Sequence, residues 1–395
     1  MIVDPDGKGL KDYWNKAAFG FLGGSILHCM ILCLVKEGRH ATLNDLSLML
    51  ADEDREIREV FEEMLVLEHF ENMKNLFEGI EDSSAKAVKQ FISSAAREML
   101  NKSDSELSGV VSTAVANLAL YRDPVVTKVT SGNDFTIKDL MNDDDPVSLY
   151  LVIRPSDIDR LRPLVRLILN MILRRLTEDM EFSEGTVKAN YKHRLLLMLD
   201  EFTSLGKMEI FERALAFMAG YGIKSYIIVQ DLTQLQSAYG KDESIMSNCH
   251  IRIAYAPNKV ETARILSSMT GEATVIQKKT SLSGTRSGHM GRASVSISET
   301  KRPLLTPDEC MRLPGAEKDR HGKISKAGDM LIFPAGFAPI YGKQILFFLD
   351  PVFLQRSKIS APEKSSVIER TDKSESINEK AHRNEEIQDH DAISE

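Results

Sequence analysis

The sequence predicts an α/β protein: a parallel sheet covered on both faces by helices, with an all-α domain set before it or into it. Three observations carry that reading. Leu195 to Leu199 is a five-residue apolar run that ends, without a turn residue, in Asp200 and Glu201. A run of that length suits a strand buried on both faces. Ser225 to Val229 repeats the layout after an intervening helical pattern and ends in Gln230. Residues 37 to 122 show apolar positions at helical spacing only, with no β-alternation. Strands alternating with helices in one order imply parallel pairing, because each return must cross a face of the sheet.

Taken in order, the chain first presents Ala17 to Val35, nineteen residues without a charge between Lys16 and Lys36. That length could span a bilayer. Gly20, Gly23, Gly24, Ser25 and His28 lower its hydropathy, and amphipathic helices follow, so a fully buried helix of the all-α domain is the expectation. The first sixteen residues mix acids with bases and show no cleavage site, so no signal peptide is expected. Thr42 with Asp45 opens a short helix, Asp52-Glu53-Asp54 caps the next through Leu67, and Asp82-Ser83 starts a run to Leu100. Ser105 to Leu120 gives one more, and this domain, residues 1–122, holds no catalytic constellation.

The pattern changes after Asp123-Pro124. Val125 to Val129 and Asp134 to Ile137 read as short strands, and Ser148 to Ile153 as a buried strand stopped by Arg154-Pro155. A helix from Ser156 to Leu176 carries Arg160, Arg162, Arg166, Arg174 and Arg175 on its outer face, either as a solvated face or as a surface for nucleic acid or a neighbouring subunit. Met208 to Ala219 is helical and stops at Gly220-Tyr221-Gly222; Asp231 to Tyr239 is a short helix, His250 to Tyr255 a strand, and Asn258 caps Lys259 to Thr270. Residues 277–302, with six bases against the single acid Glu299, read as a mobile loop. Its Lys278, Lys279, Arg286 and Arg292 are the local candidates for a phosphate backbone. Leu331 to Phe333 and Tyr341 to Leu349 supply last strands, and 357–395 is a charged, disordered tail.

Composition bounds the chemistry. The net charge of the 395 residues is −8, which excludes an overall electrostatic hold on nucleic acid. Residues 361–395 hold ten acids and five bases, so −5 of that charge is local and −3 belongs to the body. Cys29, Cys33, Cys249 and Cys310 are too scattered for a disulfide framework, which fits a reducing compartment. Cys29, Cys33 and His28 lack a second ligand cluster, so packed residues rather than a zinc site are expected there.

Asp200 and Glu201 fall at the carboxyl edge of the sheet, where open α/β folds bind ligands. A carboxylate there can hold Mg²⁺ on a nucleotide phosphate while its neighbour polarises water, the pattern of a Walker B strand. A core strand running into a helix whose first turn favours acids explains the same residues. Gln230 fits a residue that orients water or reads a γ-phosphate, and equally a helix cap. The phosphate loop G-x-x-x-x-G-K-[ST] occurs nowhere: Gly7-Lys8-Gly9 lacks the spacing, and Gly284 to Gly291 lacks the lysine. Weak nucleotide binding, or none, is therefore expected of this chain by itself.

Leu196 to Lys207, Met218 to Lys224, Gln230-Asp231, Ser247-Asn248-Cys249, Asp12-Tyr13-Trp14, Ser112-Thr113-Ala114, Tyr150 to Pro155 and Pro303 to Glu309 together resemble the type IV secretion coupling proteins of the VirD4/TraG class. The similarity runs to about residue 355 and is greatest to the TraG branch of plasmid conjugation. It implies a RecA-like, P-loop-type motor domain over 123–356 beside the all-α domain, assembled as a hexamer at the cytoplasmic face of the bacterial inner membrane. It further implies ATP and Mg²⁺ as cofactors, with Asp200 as the Mg²⁺-associated acid, Glu201 as the water-activating acid and Gln230 as the polar sensor. The implied partners are a relaxase with its single-stranded DNA, or protein effectors, and the secretion channel. Members of the class carry membrane helices and a Walker A loop ahead of the all-α domain. Neither is found here, so a truncated, cytoplasmic form is the expectation, with a nucleotide-incompetent adaptor or decayed remnant that only docks relaxase or effector as the alternative. Ala219 and Gly220 stand where some relatives place a finger arginine, which leaves that role unassigned.

Overall fold

The computed structural model describes residues 12–77, 79–178, 181–183, 186–188, 191–283 and 292–360. Its contacts divide the chain at Arg194 and Leu195 into two units, whereas the sequence pattern changes at 122–123. The helical core continues past that point: Val126, Leu161 and Leu164 pack with it.

The first unit is built on helix α1 (Tyr13–Glu37), started by the Asp12 side chain, which accepts from the Asn15 N–H, and ended by Gly38 at a left-handed φ of 62°. Around it lie α2 (Leu43–Met49), α3 (Ile57–Val66), α4 (His69–Leu76), α5 (Asp82–Leu100) and α6 (Asp104–Leu118). The Thr42 and Asp45 capping box opens α2 as expected; α4 was not foreseen. Helix α1 is long and apolar enough to cross a membrane. Its Phe21, Leu22, Cys29, Ile31 and Cys33 are nonetheless part of the core, with Phe61, Met64, Ile92 and Met99 from α3 and α5. It is not buried all round as the sequence implied, since Phe19, Met30 and Val35 are exposed. At Gly24 a Cβ would come within 2.5 Å of the Ala95 Cβ, so only glycine allows α1 and α5 to close here.

Beyond α6 the structure corrects three expected strands. Residues Pro124–Thr130 form helix α7, because Asp123 accepts from the N–H groups of Val125 and Val126 and Pro124 occupies the first turn. The start signal overrides the β-branched content of Val125, Val126 and Val129. Residues 134–137 are irregular and lead into α8 (Asp139–Asn142), with the Thr136 N–H on the Asp139 carboxylate. Residues 148–153 join no ladder, and Tyr150 and Val152 are 77% and 89% exposed. Helix α9 (Ile158–Leu176) follows with Val165, Leu169, Ile172 and Leu173 buried, and a short ribbon of β1 (Glu181–Ser183) with β2 (Thr186–Lys188) precedes the second unit.

The second unit opens with strand β3 (Leu195–Leu199), crosses through helix α10 (Glu209–Ala214) and a 3₁₀ turn, Met218–Tyr221, and returns as β4 (Ile223–Ile227). The expected single helix over 208–219 is thus split. Strands β3 and β4 are parallel, with Leu195 opposite Ile223 and Leu199 opposite Ile227. This pair is half-covered: Leu197 is buried, while Leu196 and Met198 are 56% and 65% exposed, unlike the strand buried on both faces that the sequence suggested. Helices α11 (Leu232–Tyr239) and α12 (Ile245–Asn248) lead to β5 (Ile251–Ala254) and α13 (Val260–Thr270), which Lys259, not Asn258, precedes as the cap position.

Of the residues expected to form a mobile loop, 277–283 and 292–302 instead belong to two paired strands, β6 (Glu272–Ser283) and β7 (Arg292–Pro303), in continuous antiparallel register, and 284–291 lie outside the described residues. In β7 Ser294, Ser296 and Ser298 alternate with Val295 and Ile297 in the period of two that a ribbon needs. Helix α14 (Pro307–Met311), the small pair β8 (Glu317–Lys318) and β9 (Ile324–Lys326), then β10 (Asp329–Pro334), β11 (Ile340–Lys343) and α15 (Pro351–Ser357) complete the chain. Strand β10 lies between β5 and β11, antiparallel to both. Of the expected 341–349 strand only Tyr341, Gly342 and Lys343 are paired, preceded by Ile340. The tail from 361 onward lies outside the described residues.

Candidate active site at the carboxyl edge of the parallel strands

Backbone bonds tie the ends of β3 and β4 together: the Ile228 N–H donates to the Leu199 carbonyl at 3.0 Å and the Phe202 N–H to the Ile228 carbonyl at 3.1 Å. Beneath them Phe202 stacks on Tyr239, ring centres 5.6 Å apart, and packs on Phe211 at 4.8 Å. The Tyr239 hydroxyl accepts from the Met208 N–H. This buried aromatic group fixes the turn that leaves β3.

Within that turn Glu201 adopts φ 47° and ψ 44°, the only left-handed non-glycine residue among the described residues. Its N–H donates to Asp200 Oδ1 at 3.1 Å, and its Oε1 accepts from Gln230 Nε2 at 2.6 Å. The three residues singled out in the sequence are therefore brought to one edge, joined in a chain from Asp200 through Glu201 to Gln230. A strained backbone that delivers a carboxylate to a polar partner is a recurrent feature of functional sites. Asp200 itself is exposed.

A cleft of about 530 Å³ opens beside them, lined by Glu201, Thr203, Ser204, Gln230, Thr233, Gln234, Ser237, Ala238 and Lys259. Asp231 lies behind this wall. It caps α11 through the Thr233 N–H at 2.8 Å, accepts from the Thr262 hydroxyl at 3.3 Å and stands 3.9 Å from Lys259 Nζ. Partial burial works against its charge, but the hydrogen bonds from Thr233 and Thr262 and the Lys259 ammonium hold its carboxyl below the usual range. Sequence reasoning missed Thr203, Thr233, Gln234 and Lys259. Thr233 and Gln234 could have been found in the first turn of the helix that Asp231 caps, directly after Gln230, whereas nothing local marks Lys259.

The other candidates are placed elsewhere. Lys278 and Lys279 are exposed neighbours on β6, so they project from opposite faces of the ribbon, cross-strand from Ile297 and Ser296. Arg292 opens β7, and Arg286 lies outside the described residues. The arginines of α9 are engaged locally: Arg160 with Asp123 and Asp157, Arg162 with Asp159, Arg175 with Glu178. Cys29 and Cys33 are buried free thiols. His28 instead meets a residue the sequence did not flag, with its Nδ1 2.9 Å from His69 Nε2. No group of three or more His, Cys, Asp and Glu side chains able to hold a metal occurs among the described residues.

The profile of the type IV secretory system conjugative DNA transfer family matches residues 1–380. The conjugal transfer protein TraG of Escherichia coli is 51% identical over 369 residues, covering 92% of this chain and 56% of that protein. Protein VirD4 of Agrobacterium fabrum is 31% identical over 195 residues, 49% of this chain and 27% of VirD4. The plasmid coupling protein TrwB, solved in complex with ADP and Mg²⁺, superposes with a TM-score of 0.50 at 16% identity, over 87% of this chain and 65% of TrwB. A second TrwB structure, in complex with sulphate, gives 0.51 at 15% identity, with 87% and 66% covered. At that identity the likeness shows a shared fold and no more. The chain spans about half the length of the TraG proteins it matches. By the profile over nearly all of its residues, by the TraG identity and by the fold, this chain belongs to the type IV secretion coupling proteins of conjugative DNA transfer.

Proposed function

We propose that the chain carries the Walker B part of a hexameric motor at the inner membrane. In this reading ATP hydrolysis drives relaxase-bound single-stranded DNA, or protein effectors, into the secretion channel. The observation that carries it is the Glu201 to Gln230 contact at the carboxyl ends of two parallel strands. That is where nucleotide hydrolases place a base and a polar sensor. TrwB was solved with ADP and Mg²⁺, and the residues here suit such a ligand. Mg²⁺, when bound, would neutralise phosphate charge. Asp200 offers an exposed carboxylate suited to a hard cation, with one oxygen already held by the Glu201 N–H. Glu201 is positioned to take a proton from the attacking water, and Gln230, bonded to it, orients the carboxylate. The residues 1–122 domain is assigned to docking relaxase or effector, and 123–356 to the motor.

The second reading is an adaptor that docks its cargo without nucleotide, favoured by the lack of G-x-x-x-x-G-K-[ST] in the sequence. On either reading, ATP turnover by this chain alone should not exceed that of its Glu201→Gln variant. Transfer separates the two. In cells carrying the conjugation system, Glu201→Gln is expected to lower plasmid transfer by roughly a hundredfold or more if the motor reading holds; transfer at wild-type frequency would favour the adaptor.

Lys278, Lys279, Arg286 and Arg292 are assigned to the DNA backbone. Replacing them by serine should weaken single-stranded DNA binding and lower the slope of log affinity against log salt by about 0.7 per lost contact. An unaltered slope removes the ribbon from this role.

A further inference from the structure

The cleft beside Glu201 contains a cation that nothing in the sequence pattern points to. Lys259 comes from the turn before α13, far along the chain from β3, yet lines the same cleft as Glu201, Thr203, Ser204 and Gln230. It is the one cation among the lining residues. Its ammonium is held from behind: Thr233 Oγ1 accepts from Nζ, and Asp231 Oδ1 stands 3.9 Å away. Asp231 is itself fixed, with its side chain 12% exposed and bonded to the Thr233 N–H and the Thr262 hydroxyl.

A pairing with Asp231 alone does not account for this arrangement. The separation exceeds hydrogen-bonding distance, the lysine side chain is 51% exposed, and such pairs contribute little to stability. An ammonium has three donors, of which Thr233 engages one. The wall around it supplies hydroxyls from Thr203, Ser204, Thr233 and Ser237 and amides from Gln230 and Gln234. The Ser237 hydroxyl donates to the Thr233 carbonyl and the Gln230 amide to Glu201, so the compact Lys259 ammonium is the group of this wall most complementary to a phosphate.

We propose that Lys259 is a phosphate-binding residue of this cleft, contacting the phosphate chain of the nucleotide, with Asp231 and Thr233 as the residues that position its ammonium. The assignment rests on the cleft being the nucleotide site. Phosphate of a DNA backbone has the same chemistry, and the test separates the two sources.

The experiment uses the full chain, with inorganic triphosphate and a single-stranded oligonucleotide as probes. Triphosphate binding is followed by ³¹P line broadening, which detects millimolar affinities. Modification of Lys259 by reductive methylation is read by peptide mass spectrometry with and without triphosphate. Triphosphate is expected to slow Lys259 methylation. Lys259→Gln should weaken triphosphate binding about tenfold, the loss of one charge-assisted contact, while Lys259→Arg retains most of it and the oligonucleotide affinity stays unchanged. The arginine variant excludes a folding defect as the cause. Triphosphate binding that responds to Glu201→Gln but not to Lys259→Gln overturns the role of Lys259 and leaves the cleft as the nucleotide site. No triphosphate binding or protection by the wild-type chain overturns both. An oligonucleotide loss with triphosphate unaffected overturns the nucleotide assignment and places the phosphate on nucleic acid.

Discussion

The helical unit and the parallel pair of the second unit treat their apolar residues in opposite ways. In the helical unit Phe61, Met64 and Ile92 are 0% exposed, packed against α1 and closed by an edge-to-face contact of Phe21 on Phe61. On β3 and β4 one face is covered, while Leu196, Met198 and Tyr226 stand 56%, 65% and 47% exposed on the other. The ribbon of β6 and β7 leaves Val275, Ile276, Val295 and Ile297 exposed as well, with neither face covered among its described residues. Surfaces of that kind mark contacts with further protein or ligand. The helical unit thus has a closed interior, with Phe19, Met30 and Val35 exposed only on the outer side of α1, whereas the strands that lead to Glu201 and Gln230 form an edge with an uncovered apolar side.

The largest effect expected from this contrast is on stability. Phe61→Ala should lower the unfolding free energy of the helical unit by about 3–5 kcal/mol, since it leaves a cavity in a closed interior. Met198→Ala should change that of the second unit by less than about 1 kcal/mol, because the lost atoms already face solvent. The chain has one tryptophan, Trp14 in α1, so its fluorescence in a guanidinium titration reads the helical unit, and far-ultraviolet dichroism reads the whole. Comparable losses at the two positions would show that the β3 face is covered in solution.

The second contrast is in pH response. His28 and His69 are both 0% exposed and face each other inside the helical unit. Burial, then the His69 charge, push the His28 pKa from 6.5 down to about 4, although Glu63 opposes this and Lys36 and Arg55 add to it. Burial also lowers that of His69, with Lys89 adding and Glu63 opposing. A base whose pKa is lower folded than unfolded binds more protons when unfolded, so stability is whole above pH 6.5 and declines as pH falls toward 4. The folding equilibrium constant read by Trp14 should drop at least roughly tenfold across that window beyond any change in the second unit. A flat profile would show the pair to be solvated.

Legibility in the sequence followed the same division of physics. Leu195–Leu199 and Asp82–Leu100 match the structure to the residue, the first because it finds a partner in β4, which the equally apolar 148–153 lacks, and the second because its helical period is uninterrupted. The Asp200, Glu201 and Gln230 edge was legible because strand ends place it. Val125 to Val129 misled because β-branched content says strand, while the cap at Asp123 and Pro124, two residues away, decides helix. The paired strands β6 and β7 misled because serine and threonine suit loops and exposed ribbons alike, and only pairing distinguishes them. Lys259 left no trace at all, since its position depends on a turn far from the strands it serves.

The smallest effect tests the working edge itself. Glu201 is held at φ 47°, where a side chain crowds its own backbone at a cost of roughly 1–2 kcal/mol. The fold sustains this because Phe202 is locked beneath by Phe211 and Tyr239, and the Phe202 N–H is bonded to Ile228. Relief of the strain without loss of those contacts is available to glycine alone. Glu201→Gly should therefore be more stable than Glu201→Ala by about 0.5–1 kcal/mol, after glycine's greater freedom in the unfolded chain is allowed for. Both variants lose the bond to Gln230, so the difference between them isolates the backbone. If the alanine variant proves the more stable, the left-handed turn is not strained, and the carboxylate reaches Gln230 without stored energy. If glycine is the more stable, the chain holds an unfavourable backbone at the residue whose side chain accepts from Gln230, as the proposed role of Glu201 requires of a site built for chemistry and not for stability.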